Sequence, residues 1–328
     1  MRSLFFALAI CLAGTSAPAL AEPDINTPPN LTGIDRQSIK IGLLKRRFVV
    51  RLPTSSCYAH KTPAPPKLPV VIVLHGALGN AWTAEFDSGM TERANKEGFI
   101  VVYPYGTGIG AKQVLFWNAG ACCSLASSRR VDDVSFIREL IALLKRNYNA
   151  DPSRIYVAGA SNGGMMAYRL ATELSHQIAA IGSVEGCMFP LAAKPTGPVS
   201  IIEFHGTADR VIPYQGGTGS LMGYKVRNIA PVAKTVNYWV AQDHCQPLAQ
   251  REVRDGYVKE TFVGGDGGSA VCLVSISDGG HAWPGGRCAG LFGDKPSRKL
   301  SATDQMLDFF RQHPRHDIDI AGGNLCLH

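Results

Sequence analysis

Residues Gly159-Ala160-Ser161-Asn162-Gly163 form the one Gly-x-Ser-x-Gly pattern in the chain, and a serine so placed can act as a nucleophile. With 35 glycines among 328 residues, an accidental match is a real risk, so the motif needs support from its surroundings. "RIYVAGA" before it reads as a strand, and "NGGMMAYRLATEL" after it reads as a helix. A nucleophile elbow requires that context: the glycines leave room for a tight turn that lifts the hydroxyl above the sheet edge. The helix N-terminus that follows aims backbone N–H groups at developing negative charge. The competing reading is a glycine-rich turn that carries a serine by chance.

A serine hydroxyl is a weak nucleophile near neutral pH, so it needs a base, and the base needs an acid to orient it. Asp209 follows the strand-like run "VSIIEFHG", at the strand end where open α/β sheets place their sites. Its rivals are Asp243, Asp255 and Asp278; Asp243 reads as a solvated helix end and Asp255 as a solvated hairpin turn. His281 follows the last strand, and the glycines before it let a loop carry the imidazole over the serine. His75, His205 and His244 read as structural, with His75 bracing its own loop. Two backbone donors complete an acyl-transfer site: the N–H of Asn162 and, from the loop "HGALGN", that of Ala77. Trp283 and Trp117 are candidates for shaping an acyl pocket; the alternative for each is a packing tryptophan.

These residues need elements to hold them. "SIKIGLL" and "RFVVRLP" read as a short antiparallel pair, and the polar, proline-rich "SSCYAHKTPAPPK" as a surface connection. "LPVVIVLHG" and "FIVVYP" are continuous apolar runs, as strands buried on both faces require. Between them, Trp82, Phe86, Met90 and Ala94 recur at a spacing that marks one helical face. A long glycine-rich loop runs from Tyr105 to about Arg130 and reads as functional. "VDDVSFIRELIALLKRNYN" is the clearest helix, capped by Asp132 or Asp133, and "APVAKTVNYWVAQ" is another. "VCLVSIS" is the last strand and "SATDQMLDFFRQH", capped by Ser301, the last helix. Strands alternating with helices predict an α/β fold with a mostly parallel central sheet covered on both faces. No repeat or linker divides residues 22–328, so one domain is expected.

Composition bounds the rest. The chain is 45% hydrophobic and 18% charged, with a formal charge of +7 and no long basic run. This is a globular composition that points away from nucleic acid as a partner. Arg2, the apolar stretch Leu4–Ala13 and Ala19-Leu20-Ala21 read as a signal peptide over residues 1–21, which implies a secreted or periplasmic protein with no membrane attachment after cleavage. Of nine cysteines, Cys11 leaves with the signal; the other eight (57, 122, 123, 187, 245, 272, 288 and 326) suggest disulfides. Cys245 with Cys272 is a plausible local pair, and Cys122-Cys123 reads as a tether of the long loop. No C-x-x-C exists, so neither a metal site nor any cofactor is expected.

Taken together, "HGALGN", "FWNAGACC", "VDDVSFIRELI", "GASNGGMMAYRLA", "FHGTADRVIPY" and "GGHAWPGG" resemble the secreted esterases grouped as polyhydroxybutyrate depolymerase-like. Those overlap with the feruloyl esterases of carbohydrate esterase family one. The likeness spans about Pro69 to Phe310. It implies an α/β-hydrolase fold, ester hydrolysis through an acyl-enzyme, and a triad at Ser161, Asp209 and His281. The chain ends soon after its last helix, leaving no polymer-adsorbing module. Soluble esters are therefore expected, either hydroxycinnamoyl groups on plant polysaccharide fragments or short hydroxyalkanoate oligomers. The readings in competition are a non-catalytic carbohydrate- or polymer-binding protein on a hydrolase scaffold, and a peptidase of the same fold.

Overall fold

The run Leu68–Leu74 carries no polar side chain, and every one of its residues is buried. In the computed structural model, which describes residues 33–53, 66–109, 114–120, 124–189, 191, 193–221, 224–287 and 294–316, that run lies near the middle of a ten-stranded sheet. Along the chain, strands β1 (Ile34–Ile41), β2 (Leu44–Arg51) and β3 (Leu68–Leu74) precede helices α1 (Ala81–Ser88) and α2 (Met90–Ala94). Next come β4 (Ile100–Pro104), the hairpin β5 (Thr107–Ile109) and β6 (Val114–Phe116), then α3 (Ser124–Ser128) and α4 (Asp133–Asn147). Strand β7 (Ala150–Ala160), α5 (Asn162–Glu173), β8 (Ala180–Val184) and β9 (Ser200–Gly206) follow. A second hairpin, β10 (Gly217–Leu221) and β11 (Tyr224–Ile229), leads to α6 (Val232–Gln242). The chain closes with β12 (Gln250–Arg254), β13 (Tyr257–Phe262), β14 (Val271–Ile276) and α7 (Ala302–Gln312).

The sheet order is β1-β2-β4-β3-β7-β8-β9-β14-β13-β12. Strands β4, β3, β7, β8, β9 and β14 run parallel to one another; β2 with β1 and β13 with β12 add antiparallel edges on either side. Alternate residues of the central strands feed two apolar layers. Val70, Ile72 and Leu74 pack with α4, α5 and α6, whereas Val71 and Val73 pack with α1, α2 and α7. This is an α/β-hydrolase architecture with helices on both faces. Among the described residues no helix is long and apolar enough to cross a membrane.

The caps follow ordinary helix chemistry. Asp132 Oδ1 accepts from the Ser135 N–H at α4, and Ser301 Oγ accepts from the Asp304 N–H at α7. Asp133 instead turns inward, where it meets Arg46 at 2.6 Å.

Three expectations change. The face predicted through Trp82, Phe86, Met90 and Ala94 is broken at Gly89, which ends α1 with φ 60°. Met90 and Ala94 enter the core, but Trp82 stays 63% exposed and stacks on Phe86. Asp243 is fully buried, not solvated. Cys245 and Cys272 are unbonded, because the pleat places them in opposite layers of the sheet. Cys187 is also a free thiol. Cys57, Cys122, Cys123, Cys288 and Cys326, expected in disulfides, and the expected signal peptide lie outside the described residues.

Candidate active site

Five neighbouring strands, β3, β7, β8, β9 and β14, each end at the same sheet edge in a loop that carries a polar residue: His75, Ser161, Glu185, Asp209 and His281. This is the carboxyl edge of the parallel sheet. Ser161 occupies the sharp turn between β7 and α5, with φ 54° and ψ −119°. A non-glycine residue there stores about 1–3 kcal/mol of strain. Its N–H donates to Val184 O at 2.8 Å, which fixes the turn. The flanking glycines are sterically required. A Cβ on Gly159 would lie 2.4 Å from Gly163 O, and one on Gly163 would lie 2.5 Å from Leu74 O.

The acid and base loops are stitched together. The Thr207 N–H donates to Ile276 O and the Ala208 N–H to Gly279 O, both at 2.9 Å. Gly206 and Gly279 allow this approach, since a Cβ on Gly206 would meet Gly279 O at 2.2 Å. As a result His281 Nδ1–H donates to Asp209 Oδ2 at 2.8 Å. The second Asp209 oxygen accepts from the N–H groups of Val211 and Ile212 at 2.7 and 2.9 Å. Burial alone would raise the Asp209 carboxyl, but the His281 hydrogen bond and the charges of His281 and His205 hold it below the usual carboxylate range. Asp294 Oδ2 accepts from the His281 backbone N–H at 2.8 Å and anchors the base loop.

Glu185, which sequence reasoning missed, follows β8 with φ 54° and brings Oε2 to 3.4 Å from His281 Nδ1. Burial, and then the charge of Asp209, push its carboxyl well above the ordinary value, which favours the protonated form. Ligand atoms of Glu185, Asp209 and His281 cluster within 4.8 Å, the one such group among the described residues. A Glu185 that favours its protonated form and an Nδ1–H already donated to Asp209 suit a hydrogen-bonded array better than a cation.

The rival residues are occupied elsewhere. His205 is buried behind the acid, with Nε2–H donating to Ile212 O at 2.8 Å and Nδ1 at 2.9 Å from Glu203. His244 is exposed and pairs with Asp266 at 2.7 Å, while Asp255 and Asp278 lie on the surface.

The loop expected to supply an oxyanion donor packs against the elbow: a Cβ on Gly76 would sit 3.7 Å from Ser161 Cβ. His75 braces it. Its Nδ1–H donates to Gly76 O at 2.8 Å and its Nε2 accepts from the Gly106 N–H at 3.0 Å. Burial lowers its pKa to about 4, so the ring stays neutral. Trp117, a candidate pocket wall, has no exposed surface and does not line the cleft. It acts as a strut: Nε1–H donates to His75 O at 3.0 Å, and the Asn162 side chain grips both its N–H and its C=O, at 2.7 and 3.1 Å. The long loop is thus tied to the elbow through Asn162 and to the 75–80 loop through the mutual Leu78–Leu115 and Leu115–Gly79 backbone bonds.

Trp283 does line the cleft, a space of about 280 Å³ that also meets His281, Glu185, Ala77 and Ala160. Its Nε1–H donates to Thr303 Oγ1 at 3.0 Å. Trp82 and Phe86, expected on one helical face with Met90 and Ala94, form the outer wall.

Comparisons with known proteins bear on the family and the fold. A profile of the dienelactone hydrolase family matches residues 57–225. The chain is 28% identical over 324 residues to the "Putative esterase NocK" of Nocardia uniformis subsp. tsuyamanensis, covering 91% of each chain. It is 31% identical over 222 residues to feruloyl esterase B of Piromyces equi, covering 65% of this chain but 39% of that protein. Among solved structures, an acetyl xylan esterase from Aspergillus awamori superposes with a TM-score of 0.57 at 14% identity, covering 85% of this chain and 99% of that one. At that identity the likeness concerns the fold alone.

Proposed function

The chain belongs to the dienelactone hydrolase family and is a carboxylic ester hydrolase, and from that premise we propose that it cleaves hydroxycinnamoyl esters of plant polysaccharide fragments through an acyl-enzyme on Ser161. The observation that carries the site assignment is the 2.8 Å hydrogen bond from His281 to Asp209, at the same sheet edge as a serine held at a strained elbow.

In this reading His281 Nε2 takes the Ser161 Oγ proton as the oxygen attacks the ester carbonyl. Asp209 holds the imidazole by its Nδ1–H and stabilises the imidazolium that forms. The backbone N–H groups of Ala77 and Asn162 receive the carbonyl oxygen as it becomes negative, and each such donor is worth about 10²–10³ in rate. Collapse of the tetrahedral intermediate expels the alcohol, which takes the proton back from His281. Water then repeats the sequence on the acyl-enzyme, with His281 again as base. Trp283 forms part of the wall around the acyl group. The scheme uses no cofactor or metal.

The feruloyl esterase relative supports the acyl class. Short hydroxyalkanoate oligomers, as in polyhydroxybutyrate depolymerase-like enzymes, are the competing ester class. The leader-like residues 1–21 support action in the periplasm or outside the cell. Hydrolysis of p-nitrophenyl acetate is the basic test. Ser161→Ala should abolish it without changing the thermal midpoint by more than a few degrees; retained turnover would contradict the assignment. A panel of methyl ferulate, acetylated xylan and hydroxybutyrate oligomers then separates the acyl classes.

A further inference from the structure

The cleft beside His281 ends at a ridge of two aromatic rings, and a second groove begins beyond it. Trp82 and Phe86 stack with centroids 5.1 Å apart and planes inclined by 13°, and both border the two spaces. The groove encloses about 560 Å³, and beyond the two rings its lining combines Arg51, Glu85, Glu92, Asn95 and Arg287 with the apolar Ile34 and Leu52. Its charges are paired. Arg51 donates to Glu85 at 2.6 Å, and Arg287 pairs with Glu92. The groove therefore offers many donors and acceptors with no net charge among these four groups. A polyanion finds no attracting field there. A neutral polyhydroxylated chain fits, because each hydroxyl both donates and accepts.

The ridge adds a surface that such a chain uses. Trp82 is 63% exposed, backed by Phe86, whose ring has the Arg287 guanidinium 5.9 Å from its centroid. The indole is held on a fixed base: Asn80 Oδ1 caps α1 by accepting from the N–H groups of Trp82 and Thr83 at 2.9 and 3.2 Å. A rigid, exposed ring stacks on the flat C–H face of a pyranose at little entropic cost. The cleft on the other side of the ridge differs, with Val73, Leu74, Ala84, Ala160 and Ala282 among its walls.

We infer that the Trp82–Phe86 ridge and the groove beyond it form a carbohydrate subsite, which holds neutral sugar units of the substrate's alcohol part while the acyl group occupies the apolar cleft. This rests on the reading of Ser161 as the nucleophile of an ester hydrolase, and it selects polysaccharide esters over polyester oligomers.

The test separates the two claims. Calorimetric titration of β-1,4-xylotetraose into the Ser161→Ala protein needs no turnover. Binding is expected, with Trp82→Ala weakening it about tenfold and Trp82→Phe restoring most of it. In the protein with Ser161 intact, Trp82→Ala should raise KM about tenfold more on a feruloylated xylo-oligosaccharide than on methyl ferulate. Absence of xylotetraose binding, or equal losses on the two esters, would overturn the subsite. Absence of p-nitrophenyl acetate hydrolysis by the unmodified protein would overturn the esterase reading instead, and the titration would still decide the subsite.

Discussion

Glu185 Oε2 lies 3.4 Å from His281 Nδ1, the nitrogen that Asp209 Oδ2 engages at 2.8 Å. Two acids from adjacent strands thus face one imidazole, one with its carboxyl lowered and one with its carboxyl raised. Their environments separate them: Asp209 accepts three hydrogen bonds, while burial and the Asp209 charge favour neutral Glu185.

That pairing makes Glu185 a reserve acid. In Asp209→Asn burial still raises the Glu185 carboxyl, but the neighbouring charge that adds to the rise is gone. Residual turnover should therefore rise with pH as Glu185 ionises beside His281. The loss in kcat should be smaller than the ~10⁴ typical of a triad acid, and Asp209→Asn/Glu185→Gln should lose the remainder. A pH profile of kcat for the two variants checks this. Equal, pH-independent rates would show that Glu185 plays no such part.

The elbow glycines are steric necessities. Gly163→Ala puts a methyl group 2.5 Å from Leu74 O and 2.6 Å from His75 O, both of which are backbone atoms. Overpacking of this kind costs about 1–3 kcal/mol. It should also displace the 75–80 loop, so ester turnover falls more than stability does. Gly197→Ala, with nothing within 4 Å, should change neither thermal midpoint nor kcat.

Asn162 has a structural task separate from its backbone N–H. Its side chain holds Trp117 N–H and C=O, and Trp117 in turn holds His75 O. Asn162→Ala leaves a buried Trp117 N–H without its acceptor, which costs about 1–3 kcal/mol. The expected result is a lower midpoint in urea unfolding, together with a reduced kcat as the 75–80 loop loosens.

Asp243 sets a pH dependence of stability. Burial pushes its carboxyl up to about 7, with the Val199 backbone and the Ser269 hydroxyl offsetting only part of the effect. The folded state therefore holds a proton that the unfolded chain has already lost above its ordinary pKa near 4. The stability this contributes is present below about pH 4 and declines as pH rises to about 7, by at most about 4 kcal/mol. Asp243→Asn should gain most over the parent protein in urea unfolding at pH 8 and least at pH 4. A gain independent of pH would contradict the buried ionisation.

Much of this was legible in the sequence because the relevant signals are local. Apolar runs ending in glycine-containing loops mark β3, β7, β9 and β14, and those loops carry His75, Ser161, Asp209 and His281. Strand β8 escaped notice: Ala180–Val184 includes Gly182 and Ser183 and is short, so it gives no apolar run. Glu185 escaped with it. Trp82 reads as sharing one helical face with Met90 and Ala94 because periodicity cannot see the left-handed Gly89 that separates α1 from α2. The Cys245–Cys272 pairing failed because closeness along the chain says nothing about which side of the pleat a strand residue faces. Asp243 looked solvated because a helix end usually is.

The central claim is that Ser161 forms the acyl-enzyme. A fluorophosphonate ester reacts with an activated serine as it would with a substrate carbonyl, and mass spectrometry locates the adduct. Stoichiometric labelling of Ser161 is expected, with p-nitrophenyl acetate hydrolysis lost in proportion. Labelling should vanish in Ser161→Ala and slow in His281→Ala. An adduct on another residue, or full hydrolysis by protein labelled at Ser161, would contradict it.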